Sequence, residues 1–151
     1  MTAKLAKALG LTAMILTLGA FCPPCGTTAS VTLHQPDPFD PPDGSTVPGN
    51  TVDITVNATE FRAPAGFEYS RYAIIQKWDE DANGWGPMLC YSLPWTGVWE
   101  PVGQRCETRE IEIPFEDIDV SPGENRFRIS IEISGGMMEP QWLYPEVTYY
   151  R

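Results

Sequence analysis

Apolar and polar side chains alternate along most of the chain beyond residue 50. Val52, Ile54 and Val56 alternate with Asp53, Thr55 and Asn57, the period-two pattern of a strand with one buried face. The pattern returns where Ile111, Ile113 and Phe115 alternate with Glu110, Glu112 and Glu116. It returns again where Phe127, Ile129, Ile131 and Ile133 alternate with Arg126, Arg128, Ser130, Glu132 and Ser134. Further strands are predicted over 70–78 and 88–93, separated by a turn rich in Asp, Asn and Gly, and within 142–150, where Val147 and Tyr149 share a face. No stretch after Ser30 sustains a helical period, and proline interrupts almost every connection. Short strands joined by turns predict an all-β fold, an antiparallel two-sheet sandwich of about seven strands.

Two segments precede that pattern. Lys4 and Lys7 introduce an uncharged apolar run, Leu9 to Phe21, closed by Pro23 and Pro24, which reads as a secretory signal peptide over 1–29 with Thr27-Thr28-Ala29 as its best cleavage site. The run falls short of the roughly 20 residues that span a bilayer, so export without a transmembrane anchor is expected. Cys22 follows the apolar run directly, but Phe21 stands where a lipobox wants a small residue, which makes lipid anchoring the weaker reading. Residues 30–49 are rich in Pro and Asp and read as a flexible arm, leaving 50–151 as the sandwich domain. Cys22 and Cys25 depart with the leader. Cys90 and Cys106 remain as an even pair in a disulfide-permissive compartment, and a bond between them is expected.

Charge narrows the partners. With 10 Lys and Arg against 20 Asp and Glu, the formal net charge is −10, which opposes binding to nucleic acid or to an anionic membrane surface. Five Trp, six Tyr and six Phe are too many for a disordered polyanion, so the acids belong to the surface of a folded domain.

Asp43-Gly44-Ser45-Thr46-Val47 followed by Val52-Asp53-Ile54-Thr55-Val56 resembles the opening strands of bacterial immunoglobulin-like modules. Pro122-Gly123-Glu124-Asn125-Arg126-Phe127 resembles the turn that leads into one of their last strands. The resemblance, to immunoglobulin-like or fibronectin-III-like exported modules, implies a sandwich that serves as a spacer or as an adhesive, ligand-binding domain, and it implies no reaction.

Catalytic chemistry has little to work with. His34 is the single histidine and lies in the Pro-rich segment, so histidine-based nucleophilic catalysis and a histidine zinc site both lack partners. Asp79-Glu80-Asp81-Ala82-Asn83-Gly84 is the sharpest motif: Asp79, Asp81 and Asn83 supply oxygens, Gly84 allows the sharp turn, and the Trp85 carbonyl follows as in a calcium loop. Cys90 stands where such a loop needs its closing Glu, so a hairpin turn with solvated acids is the stronger alternative to calcium binding. The second feature is aromatic. Trp78, Trp85, Trp95 and Trp99 crowd one region together with Tyr91; Trp78 reads as a core residue, while Trp85, Trp95 and Trp99 read as ligand-binding, the last two on the loop between the cysteines. Exposed indoles stack on sugar faces or anchor a protein partner. The expectation is therefore a non-enzymatic, exported interaction or structural module that meets a protein or glycan near a cell surface. The alternative is a carbohydrate-binding or carbohydrate-active protein that uses the same rings.

Overall fold

A computed structural model describes residues 30–61, 67–99, 108–135 and 138–151. The leader, with Cys22 and Cys25, and Cys106 lie outside the described residues. Within them the chain is all-β and forms two antiparallel sheets that do not close into a barrel. The strands are β1 (Ser30–Leu33), β2 (Phe39–Asp40), β3 (Thr51–Phe61), β4 (Phe67–Asp79), β5 (Gly84–Trp99), β6 (Thr108–Asp119), β7 (Glu124–Gly135), β8 (Met138–Leu143) and β9 (Glu146–Tyr150). In the first sheet β3 is central, with β6 on one side and β1 and β2 on the other. The second runs β5, β4, β7, β8, with β9 also paired to β7.

The alternating sequences become the core walls. Val52, Ile54, Val56 and Ala58 of β3 face Ala73 and Ile75 of β4 and Phe127, Ile129, Ile131 and Ile133 of β7 in one buried cluster. The apolar phase of β6 changes within the strand: Ile113 and Phe115 are buried, and then Ile118. Ile54 opposes Phe115 but Val52 opposes Ile118, so β6 carries one extra residue, a bulge. Asp117 absorbs it with φ of 55°, and its amide donates to an Asp53 carboxylate oxygen at 2.8 Å.

The segment 30–49, expected as a flexible arm, is part of the sandwich. Val31, Phe39 and Val47 are core residues. Asp37 accepts from the amides of Phe39 and Asp43, both at 3.0 Å, and Asp43 in turn accepts from the Thr148 amide at 2.7 Å. Gly44 takes φ of 79°, and beyond it the chain reaches β9, where Val47 donates to the Tyr150 carbonyl at 2.9 Å. Thr46 pairs with Tyr150 in a parallel bridge. Two of the acids that make the segment look unattached, Asp37 and Asp43, are thus acceptors for backbone amides. Proline breaks the strands without freeing the chain.

Asn125, fully buried, holds the turn before β7. Its side chain accepts from the Ser121 amide at 2.8 Å and donates to the carbonyls of Ser121 at 2.8 Å and Gly123 at 3.0 Å, while Gly123 takes φ of 99°.

Tyr149, also fully buried, ties β9 to the N-terminal segment by donating to the Pro41 carbonyl at 2.8 Å. Burial, reinforced by the carboxylates of Asp37, Asp43 and Asp40, pushes its phenol above the ordinary tyrosine range. The folded state therefore holds this proton more tightly than the unfolded chain, and stability falls as pH rises past about 10, where the unfolded phenol ionises first. In urea unfolding, Tyr149→Phe is expected to lose about 1 kcal/mol at neutral pH for the missing hydrogen bond. It should also show a shallower alkaline decline than the wild type.

Candidate functional site

The outer face of the second sheet carries the aromatic residues. Because side chains alternate along a strand, Ala73 and Ile75 of β4 enter the core while Tyr72, Ile74, Gln76 and Trp78 turn outward. On β7, likewise, Phe127, Ile129 and Ile131 are inward, and Arg126, Arg128, Ser130 and Glu132 face out. The β4–β7 register then sets Tyr72 against Glu132, Ile74 against Ser130 and Gln76 against Arg128. The neighbouring strands extend these rows, with Trp85 opposite Trp78, Tyr91 opposite Ile74 and Trp142 opposite Glu132.

These side chains touch. Trp78 and Trp85 meet edge to face with ring centroids 5.2 Å apart. The Arg126 guanidinium lies 5.1 Å from the Trp78 ring, and that of Arg128 lies 4.7 Å from Trp85 and 5.8 Å from Tyr144. Tyr144 stacks parallel to Trp142 at 6.2 Å, and Trp142 meets the edge of Tyr72 at 6.3 Å. Rings and cations therefore form one connected band across the sheet. Polar groups lie between them. Arg128 donates to the Gln76 side-chain oxygen at 2.9 Å, Gln76 donates to the Gly86 carbonyl at 2.8 Å, and Arg126 pairs with Glu146 at 3.3 Å. Ser130 and Glu132 are buried beneath the larger side chains, so they form the floor of the face. Tyr72 hydrogen-bonds Glu132, and this bond, with burial and the nearby carboxylate charge, pushes its phenol up to about 12. Trp142, Tyr144 and Tyr91 remain exposed at 44, 55 and 41 %, an unusual cluster of rings for a solvated sheet face.

Several sequence expectations are relocated. Trp78, expected in the core, stands on the outer face and is only half-buried. Trp85 belongs to the band. Trp95 and Trp99, expected on a loop between the cysteines, have their backbone in β5, opposite Arg71 and Phe67. Cys90 also lies on β5 and leans on the core; among the described residues it has no disulfide partner, and its expected partner Cys106 lies outside them. His34 pairs with Glu110 on the first sheet.

The acidic hexapeptide closes the β4–β5 hairpin. Asp79 opposes Gly84, the Asp79 carboxylate accepts from the Ala82 amide at 3.0 Å, and Asn83 adopts φ of 49°. Asp79 is thus engaged in shaping the turn. Among the described residues no group of three or more His, Cys, Asp or Glu is disposed to hold a metal ion, and no helix is long and apolar enough to cross a membrane. Beside the hairpin, Trp78, Asp79, Asp81, Pro87 and Leu89 help to line an open cavity of about 320 Å³.

Tyr72, Arg126, Arg128, Glu132, Trp142 and Tyr144 were not singled out from sequence. The polar half of β7's alternation contained Arg126, Arg128 and Glu132, but only the cross-strand register brings the rings to them. Compared with known proteins, the chain matches no family model and no curated protein.

Two measurements follow from this geometry. Glu132→Gln should bring the Tyr72 titration, followed by NMR, down from about 12 toward the ordinary value near 10. Millimolar calcium should leave the melting temperature unchanged; a rise that disappears in Asp79→Ala and Asp81→Ala would instead assign the hairpin as a calcium loop.

Proposed function

We propose that this protein is an exported, non-enzymatic binding module of the cell envelope or extracellular space, and that its contact surface is the outer face of the β5-β4-β7-β8 sheet. The observation that carries the reading is the connected band of rings and guanidinium groups from Trp78 and Trp85 through Arg128 to Tyr144 and Trp142. Trp, Tyr and Arg are the side chains that contribute most at binding surfaces, because they offer large area and directed donors at small entropic cost. Here the guanidinium groups are held against rings before any partner arrives, which lowers the ordering cost of association.

The reading includes an immunoglobulin-like fold, which the strand order supports. Taken in chain order, β1, β3 and β6 are neighbours in one sheet and β4, β7 and the β8–β9 edge in the other. This is the relation of strands A, B and E to C, F and G in such domains. The remaining strand, β5, sits beside β4 rather than beside β6, a departure from the constant-type arrangement. The Asp43–Val47 and Pro122–Phe127 blocks occupy the entry to β9 pairing and the turn into β7, both structural positions.

Retention on a panel of immobilised polysaccharides and matrix proteins tests the surface. The wild-type chain is expected to be held by at least one of them, and Trp142→Ala/Tyr144→Ala should reduce retention tenfold or more with an unchanged melting temperature. Trp95→Ala/Trp99→Ala should retain like the wild type. Loss of retention only in the Trp95 and Trp99 variant would move the contact to the far end of β5; equal retention of all three, or none by the wild type, would overturn the proposal.

A further inference from the structure

The ring-bearing face differs in charge from the rest of the molecule. On a chain with net charge −10, its two arginines lie among glutamates, Glu146 beside Arg126 at 3.3 Å, Glu132 in the floor and the exposed Glu124 at the start of β7. The opposite face, on the first sheet, exposes Asp53, Glu112 and Glu116, with Glu110 paired to His34. Resting on the contact surface proposed above, we infer that its occupant is an uncharged polysaccharide chain lying along β7.

Each competing chemistry meets an obstacle on this face. A polyanion approaches against the net negative field of the whole domain. A cation seeking the ring faces finds guanidinium groups already over Trp78 and Trp85, at 5.1 and 4.7 Å. A wholly apolar surface would strip water from Arg126, Arg128 and Glu146 without replacing its hydrogen bonds, at a cost that rises with each charged group. A sugar chain avoids all three. Its C–H faces lie flat on exposed rings, and its hydroxyl groups, each both donor and acceptor, need donors and acceptors set between those rings. Arg128 and Gln76 supply donors and Glu146 acceptors. The Tyr72 hydroxyl, whose proton is given to Glu132, is a further acceptor, and the Tyr91 and Tyr144 hydroxyls serve as either. Rows of this mixed character run from Arg126 to Glu132, about 20 Å at the rise of an extended strand. That length suits a chain of several sugar units rather than a single one, with Trp85 flanking one end and Trp142 the other.

Native affinity electrophoresis of the full chain through gels containing neutral polysaccharides (glucan, mannan, xylan) or acidic ones (alginate, polygalacturonate) separates the possibilities. The expected result is retardation by at least one neutral polymer, little changed by added salt, and weakened tenfold or more in Trp142→Ala and in Arg128→Ala. Because a core-adjacent arginine variant can lose stability, the same polymer is also titrated against wild-type tryptophan fluorescence, which should change on binding without any substitution. Retardation by acidic polymers alone, lost at high salt, would overturn the inference. So would the absence of any polysaccharide binding when Trp142→Ala/Tyr144→Ala still abolishes retention on a protein surface; the contact face would then stand, with a protein as its occupant.

Discussion

The pairing of β4 with β7 constrains the rest of the molecule. It runs from Ser70 against Ser134 to Lys77 against Phe127 with no break in register, whereas β4–β5 shifts at three places and β7–β8 at one. A slip by one residue would turn one strand over against the other. Either Ile75 would leave the core and Trp78 enter it, or Ile129 would leave and Arg128 enter. The buried cluster and the ring-bearing face are thus two sides of a single register. Irregularity is confined to the flanking strands, where the bulges and Pro87 also interrupt the long β5 edge and discourage pairing with another chain.

The face and the core are linked energetically through this ladder. Glu132 and Ser130 are nearly as buried as the core residues that alternate with them, yet they look outward, because the rings beside them form a second cover over the sheet. Burying a carboxylate in that position is tolerable when it is hydrogen-bonded, and Tyr72 provides that bond. Arg128 is held similarly, by Gln76 on one side and by the faces of Trp85 and Tyr144 on others. The outer face is accordingly an ordered structure and not a set of independent surface side chains.

The sequence made β3, β6 and β7 readable because their apolar and polar residues fall cleanly on opposite faces. It misled at β4, for a physical reason. Arg71 and Lys77 stand in the inward phase on either side of Ala73 and Ile75, while Tyr72, Ile74 and Trp78 stand outward, so over 71–78 the aromatic residues lie away from the core. A strand whose local pattern conflicts with its burial is where reading from sequence is expected to fail. The N-terminal segment misled for a different reason: its strands are only four and two residues long and pair with β3, and its link to β9 runs through Thr46 and Val47, outside both strands. The bulge at Asp117 hid the change of phase in β6 in the same way, since it is set by its opposite strand. Trp142 and Tyr144 were visible as aromatic residues, but their neighbours across the sheet were not.

The two broad faces of the sandwich are electrically unequal, acids on the outside of the β3–β6 sheet and compensated arginines among rings on the outside of the other. Such a body carries a dipole through its thickness. Near any boundary of negative charge, the field exerts a torque that turns the acidic side away from it and the ring-bearing side toward it. The exposed glutamates of β6 thereby set the domain's orientation in such a field from the sheet opposite the aromatic residues.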